Sequence, residues 1–237
     1  MSERETIIGR IREALAVTAS VPGRHAPESK AHFASGPAES RLPKTSDHRR
    51  VMPAAGAMPE EQLVLLRKNA ADLRADFKLV QNLQELAGEL KQLAVKEGWQ
   101  RAASHRGELT SAAAQALGLP VLFTENSFDK RELARCDVGL SECDALVAQT
   151  GTVVVTNQSA GGRALSILPP HHVVLARRRQ IVADLPAALE LIKQKYAGNY
   201  PSMISLITGP SRTGDIERIL VLGAHGPKRL TIFCCEG

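Results

Sequence analysis

The chain has 237 residues, a formal net charge of +5 and 43% hydrophobic residues. A chain of this length buries roughly 70% of its unfolded surface, so its core needs neither a disulfide framework nor a structural metal. Aromatic residues make up only 3%, which leaves little material for stacking on bases. The charge is also local. Residues 18–58 hold six Arg and Lys against three Asp and Glu, whereas residues 59–135 balance eleven against eleven. This distribution argues against a nucleic-acid-binding face. No apolar run approaches the roughly 18 residues that would span a bilayer, and the first twenty residues alternate charge with Ile rather than forming a signal sequence. A cytoplasmic chain without a membrane span is expected. Its four cysteines, Cys136, Cys143, Cys234 and Cys235, have no metal-knuckle spacing and read as reduced thiols.

In chain order, Ile7, Ile8, Ile11 and Leu15 recur at helical spacing and predict an amphipathic helix within residues 1–17. Residues 18–58 are rich in Pro, His and Ser and poor in large aliphatics, so they read as an extended arm. Such an arm is either a solvated connector or a strap for a partner subunit. From residue 59 the pattern alternates. Helices are expected over 60–75, 83–96 and 110–117, with strands at 77–80 and 119–123. The C-terminal half has β-branched runs at 145–156, 172–176, 204–208 and 230–234, and a helix carrying Leu185, Leu189 and Ile192 begins at Asp184. Unalternated apolar strands interleaved with helices predict an α/β domain over 59–237, built on a mostly parallel sheet flanked by helices.

Three glycine-rich polar clusters interrupt these strands. In the first, Thr150 and Thr152 flank Gly151, which marks either a ligand approach to the backbone or a hairpin turn. In the second, Gly161 and Gly162 precede Arg163, offering backbone N–H groups and a guanidinium to an anion. Pro169 and Pro170 then set a turn before His171 and His172, whose side chains point to opposite faces of a strand. The third runs Thr208-Gly209-Pro210-Ser211-Arg212-Thr213-Gly214-Asp215 and lacks the lysine of a P-loop, so a nucleotide triphosphatase is excluded. It reads as a turn into a short helix capped by Ser211 or Thr213, with Arg212 left to meet an anion. The Arg177-Arg178-Arg179 run reads as a solvated turn, and Cys234 and Cys235 as small buried hydrophobes.

Taken together, Gln149-Thr150-Gly151-Thr152, residues 162–170, residues 208–217 and Leu222-Gly223-Ala224-His225-Gly226-Pro227 resemble the LUD domain family, in its lactate-utilisation protein C group. The resemblance covers about residues 60–237. It implies a fold similar to the sugar-phosphate isomerase and CoA-transferase group. It also implies an accessory or substrate-handling subunit beside iron–sulfur partners that oxidise L-lactate to pyruvate, with no cofactor or metal in this chain. The family usually has Glu where Gln149 stands, which weakens an acid/base role at that position.

On this basis Thr150, Gly151, Thr152, Gly162, Arg163, Ser211, Arg212 and Thr213 are expected to converge at the carboxyl ends of strands around a small anion, with His225 as the candidate proton carrier. Two other readings stay open. One is a stand-alone enzyme acting on a small anionic substrate, and the other is a structural or regulatory partner without catalysis.

Overall fold

The computed structural model describes residues 54–125, 128–216 and 219–237, the side chains of 214–221 excepted. The helix expected within 1–17 and most of the expected arm lie outside the described residues.

The helix starts follow directly from their capping chemistry. Helix α1 (Pro59–Asp72) opens on a proline, and Glu61 Oε2 accepts the N–H groups of Ala57 and Met58. Strand β1 (Asp76–Val80) leads to α2 (Leu83–Glu97), which is capped by Asn82 and closed by Gly98 in the left-handed conformation. Then come β2 (Ala102–Ser104), α3 (Glu108–Leu117), β3 (Val121–Phe123), the short α4 (Lys130–Leu133) and β4 (Val138–Glu142). The hairpin β5 (Ala145–Val147) and β6 (Thr152–Thr156) precedes β7 (His171–Arg177), β8 (Ile181–Val182) and α5 (Leu185–Lys195). Asp184 caps α5 through the Ala187 N–H at 2.9 Å. The chain ends with β9 (Ile204–Ile207), β10 (Arg212–Ile216), β11 (Ile219–Leu222) and β12 (Arg229–Cys235).

Six strands form an all-parallel sheet in the order β1-β12-β7-β4-β2-β3. Four more form a second sheet in the order β8-β5-β6-β9, largely antiparallel. Strand alternation divides the core. Val173, Leu175, Phe233 and Cys235 pack with Leu86, Leu90 and Trp99 of the α2 side and Ala113 of α3, whereas Val174, Ala176 and Ile232 pack with Leu66 of α1 and Leu146 and Val153 of the second sheet. On the outer face of that sheet Ala145, Val147 and Val154 meet Ala188 and Ile192 of α5. The expected α/β architecture with a parallel sheet is the one observed. Among the described residues no helix is long and apolar enough to cross a membrane.

One local expectation is corrected. The short helix expected after Ser211 is instead an antiparallel pair, with Arg212 opposite Leu222 and Thr213 opposite Val221. Ile216, Ile219 and Val221 are β-branched, and this strand preference outweighs the Ser/Thr capping pattern.

Candidate functional site

Parallel strands leave their carboxyl ends on one edge of the sheet, and the residue after each strand faces whatever forms there. After β2 comes His105, after β4 come Cys143 and Asp144 behind the terminal Glu142, and β7 ends at Arg177, followed by Arg179 and Gln180. Together with Ser159 and with Leu191 and Lys195 of α5 they line a cavity of about 620 Å³. That is a normal size for a small-molecule site.

Asp144 anchors its floor. The side chain is wholly buried, and Oδ1 accepts both Lys195 Nζ and Tyr196 Oη at 2.7 Å. The Tyr196 hydroxyl lies 3.2 Å from Thr156 Oγ1. Burial acts to raise the Asp144 carboxyl, but the bonds from Lys195 and Tyr196 and the nearby Ser159 hydroxyl outweigh it, so the group sits below the usual carboxylate range. Burial acts to lower Lys195, and its bond to Asp144 reverses this, so the ammonium is held charged. Tyr196 is raised by burial and by the Asp144 carboxylate, which keeps its phenol protonated.

The second polar group is His105. The Glu142 N–H donates to its Nε2 at 3.0 Å, which places the proton of the neutral ring on Nδ1. Burial lowers its pKa against the pull of Glu142 and Glu125. His105 is therefore a neutral donor through Nδ1, suited to polarise an oxygen. The Glu142 carboxylate is committed elsewhere, because Oε1 accepts the Leu109 N–H at 2.8 Å and the Thr110 N–H at 3.2 Å. It caps α3, and residue 107 must be glycine for it to do so, since a Cβ there would lie 2.1 Å from Oε1. The Cys143 thiol is pushed well up by burial and is no nucleophile at neutral pH. The chemistry of the cavity is thus electrostatic: the cations Arg177 and Lys195, one neutral imidazole donor and the carboxylates of Glu108, Glu142 and Asp144.

The residues expected from the sequence are not gathered in this cavity. Thr150 and Gly151 occupy the turn between β5 and β6, and Thr152 opens β6. There Asn69 Nδ2 donates to the Ala148 and Gln149 carbonyls, and a Cβ on Gly151 would come within 3.0 Å of Asn69. The Thr150, Thr152 and Thr208 hydroxyls bond to one another at 2.7 and 2.8 Å. Arg212 donates to the Leu73 carbonyl at the end of α1. Ser211 bonds the Pro227 carbonyl through its N–H, beside the loop carrying His225, and Thr213 lies in β10. His225 lines a separate cavity with Pro170, Gly226 and Lys228, at the amino ends of β7 and β12 and so on the opposite edge of the sheet. The Gly161–Arg163 segment alone reaches the carboxyl edge. Thr124 Oγ1 donates to the Gly161 carbonyl at 2.9 Å, and a Cβ on Gly161 would strike His105 Cβ at 2.2 Å. Gly162 lies in this segment and Arg163 is exposed on it.

His171 and His172 do point apart, His171 Nε2 to Thr231 Oγ1 at 2.9 Å and His172 Nε2 to Ser141 Oγ at 2.8 Å. Burial lowers them to about 4 and about 3 respectively, so both are neutral core residues at physiological pH. Arg177 and Arg178, taken from sequence as part of a solvated turn, are instead ion-paired, Arg177 with Glu108 and Arg178 with Glu60 and Glu236.

The sequence profile of the LUD domain matches residues 65–234. The chain belongs to the LUD domain family. Among its relatives, a lactate utilization protein C of Anoxybacillus flavithermus is 40% identical over 97 residues, 41% of this chain and 43% of that protein. One of Shouchella clausii is 29% identical over 180 residues, 72% of this chain and 77% of that one. A third, of Bacillus subtilis, is 37% identical over 105 residues, 44% and 43% of the two chains. The first of these matches thus spans less than half of the relative's own length. A crystal structure of a DUF162 family protein from Deinococcus radiodurans shares the fold, with a TM-score of 0.62 over 76% of this chain and 99% of that one at 24% identity. The LUD domain's carboxyl-edge cavity lies within the matched residues.

Proposed function

We propose that this LUD domain serves lactate utilisation as an accessory or substrate-handling subunit, binding a small anion at the carboxyl edge of its parallel sheet. The observation that carries the binding reading is the cavity formed after β2, β4 and β7, where Lys195 is held charged by a buried carboxylate beside a neutral His105. The lactate reading rests on the relatives named lactate utilization protein C. The redox step belongs in this account to iron–sulfur partner subunits. This chain would hold and orient the carboxylate of the substrate or product through Lys195 and Arg177, while His105 donates to its 2-oxygen.

The test is complementation in a host lacking this chain. Wild type should restore growth on L-lactate and co-purify with cysteine-rich iron–sulfur subunits, and Lys195→Met should retain the partners while losing lactate-dependent growth. Full growth with Lys195→Met would remove the cavity from the function, and failure of wild type to rescue would remove lactate.

A further inference from the structure

The cavity is larger and more widely charged than a three-carbon acid requires. At about 30 Å³ per water, 620 Å³ holds roughly 20 waters, of which such an acid displaces about a quarter. The cations divide into two sets. Arg177 pairs with Glu108 and Lys195 with Asp144, each through one of its several N–H donors, and the Glu142 carboxylate is spent on the start of α3. Arg106 and Arg179 have no carboxylate partner for their guanidinium groups among the described residues. Arg106 lies over the Phe123 ring at 4.3 Å, and the Glu125 carboxylate takes its backbone N–H rather than its side chain. Arg179 is exposed at the rim. These two follow β2 and β7, strands separated in the sheet by β4 alone and so roughly 10 Å apart. The cavity wall is partly apolar, with Leu109 and Leu191.

We propose that the cavity takes an elongated dianion with an anionic group at each end, one held by Arg106 and the other by Arg179. This rests on the anion-binding reading above and adds the ligand's length and second charge. Guanidinium forks suit carboxylate and phosphate equally, so the two chemistries are separated by probes.

The experiment is isothermal titration of the full chain with fructose 1,6-bisphosphate and adipate, each beside its one-ended counterpart, fructose 6-phosphate and hexanoate, with L-lactate and pyruvate alongside. At least one two-ended probe should bind about tenfold more tightly than its counterpart, and Arg106→Gln and Arg179→Gln should each reduce it to the counterpart's affinity, as loss of one charge-assisted contact implies. Both arginines are exposed, so unchanged melting temperatures would show that the variants fold. Equal affinity of both two-ended probes and their counterparts, or two-ended binding indifferent to both substitutions, overturns the proposal. If pyruvate or lactate then still binds and is lost in Lys195→Met, the anion-binding reading survives alone. If no probe binds, both fall.

Discussion

Asp144 holds the candidate site together because one buried oxygen serves two donors on α5 and the residue that follows it, Lys195 and Tyr196. Asp144→Asn keeps the shape and removes the charge. Because Lys195 is half exposed, the loss should lie at the low end for a charged hydrogen bond, about 1.5 kcal/mol by urea unfolding at neutral pH. The folded carboxyl sits below its ordinary 3.8, so below that pH the unfolded chain takes up the proton first and the stabilisation disappears. The variant should therefore approach wild type in stability as the pH falls below 3.8, and a constant difference would contradict the assignment of the charge.

At the level of elements, the start of α3 and the start of β7 each carry a consequence. A Gly107→Ala substitution is compatible with the backbone, whose φ is −100°, yet its Cβ would displace the Glu142 carboxylate from the helix terminus. The loss should be about 1 kcal/mol, as for a lost N-cap, and the displaced Glu142 would disturb the His105 hydrogen bond beside it. A drop in melting temperature measures the first effect, and an unchanged one would show that the carboxylate is not a cap. In β7, His171 and His172 are lowered by burial from 6.5 to about 4 and about 3. As pH falls below 6.5 the unfolded chain takes up two protons that the folded chain refuses, so stability should decline from pH 6.5 toward 4. His172→Asn should make this decline shallower in urea titrations at pH 7 and pH 5, and an identical slope would mean that His172 is not the group refusing a proton.

The same scale shows what can be read without a structure. Strands β7 and β12 are visible in the sequence because burial on both faces demands continuous apolar runs, and α2 and α5 because Asn82 and Asp184 punctuate clear helical periods. Strand β2 escapes notice because it is only Ala102, Ala103 and Ser104, and β4 because Gly139 and Ser141 interrupt it. Gly139 is dictated by a neighbour far along the chain, since a Cβ there would lie 2.6 Å from the Leu165 carbonyl.

For the whole molecule, the site follows from strand order. Motif reading favoured glycine-rich loops, and most of these prove to be turns that lock α1, the second sheet and the β10–β11 hairpin in place. His105, Glu142, Asp144 and Arg177 are single residues scattered over the chain, and they meet only because β2, β4 and β7 are neighbours. Their sequence signal is a polar residue at or just past the end of each short strand, which becomes informative once the strands are known to be parallel. The net charge fits the same picture. The basic excess of residues 18–58 lies outside the described fold, while the cavity brings its own cations.

The central claim is that this carboxyl-edge cavity binds an anion through Lys195 and Arg177. Calorimetric titration of pyruvate into wild type, Lys195→Met and Arg177→Gln tests it most directly. The account predicts binding to wild type that weakens about tenfold or more in each folded variant, as expected for loss of a charge-assisted hydrogen bond. Equal affinity in all three would contradict it.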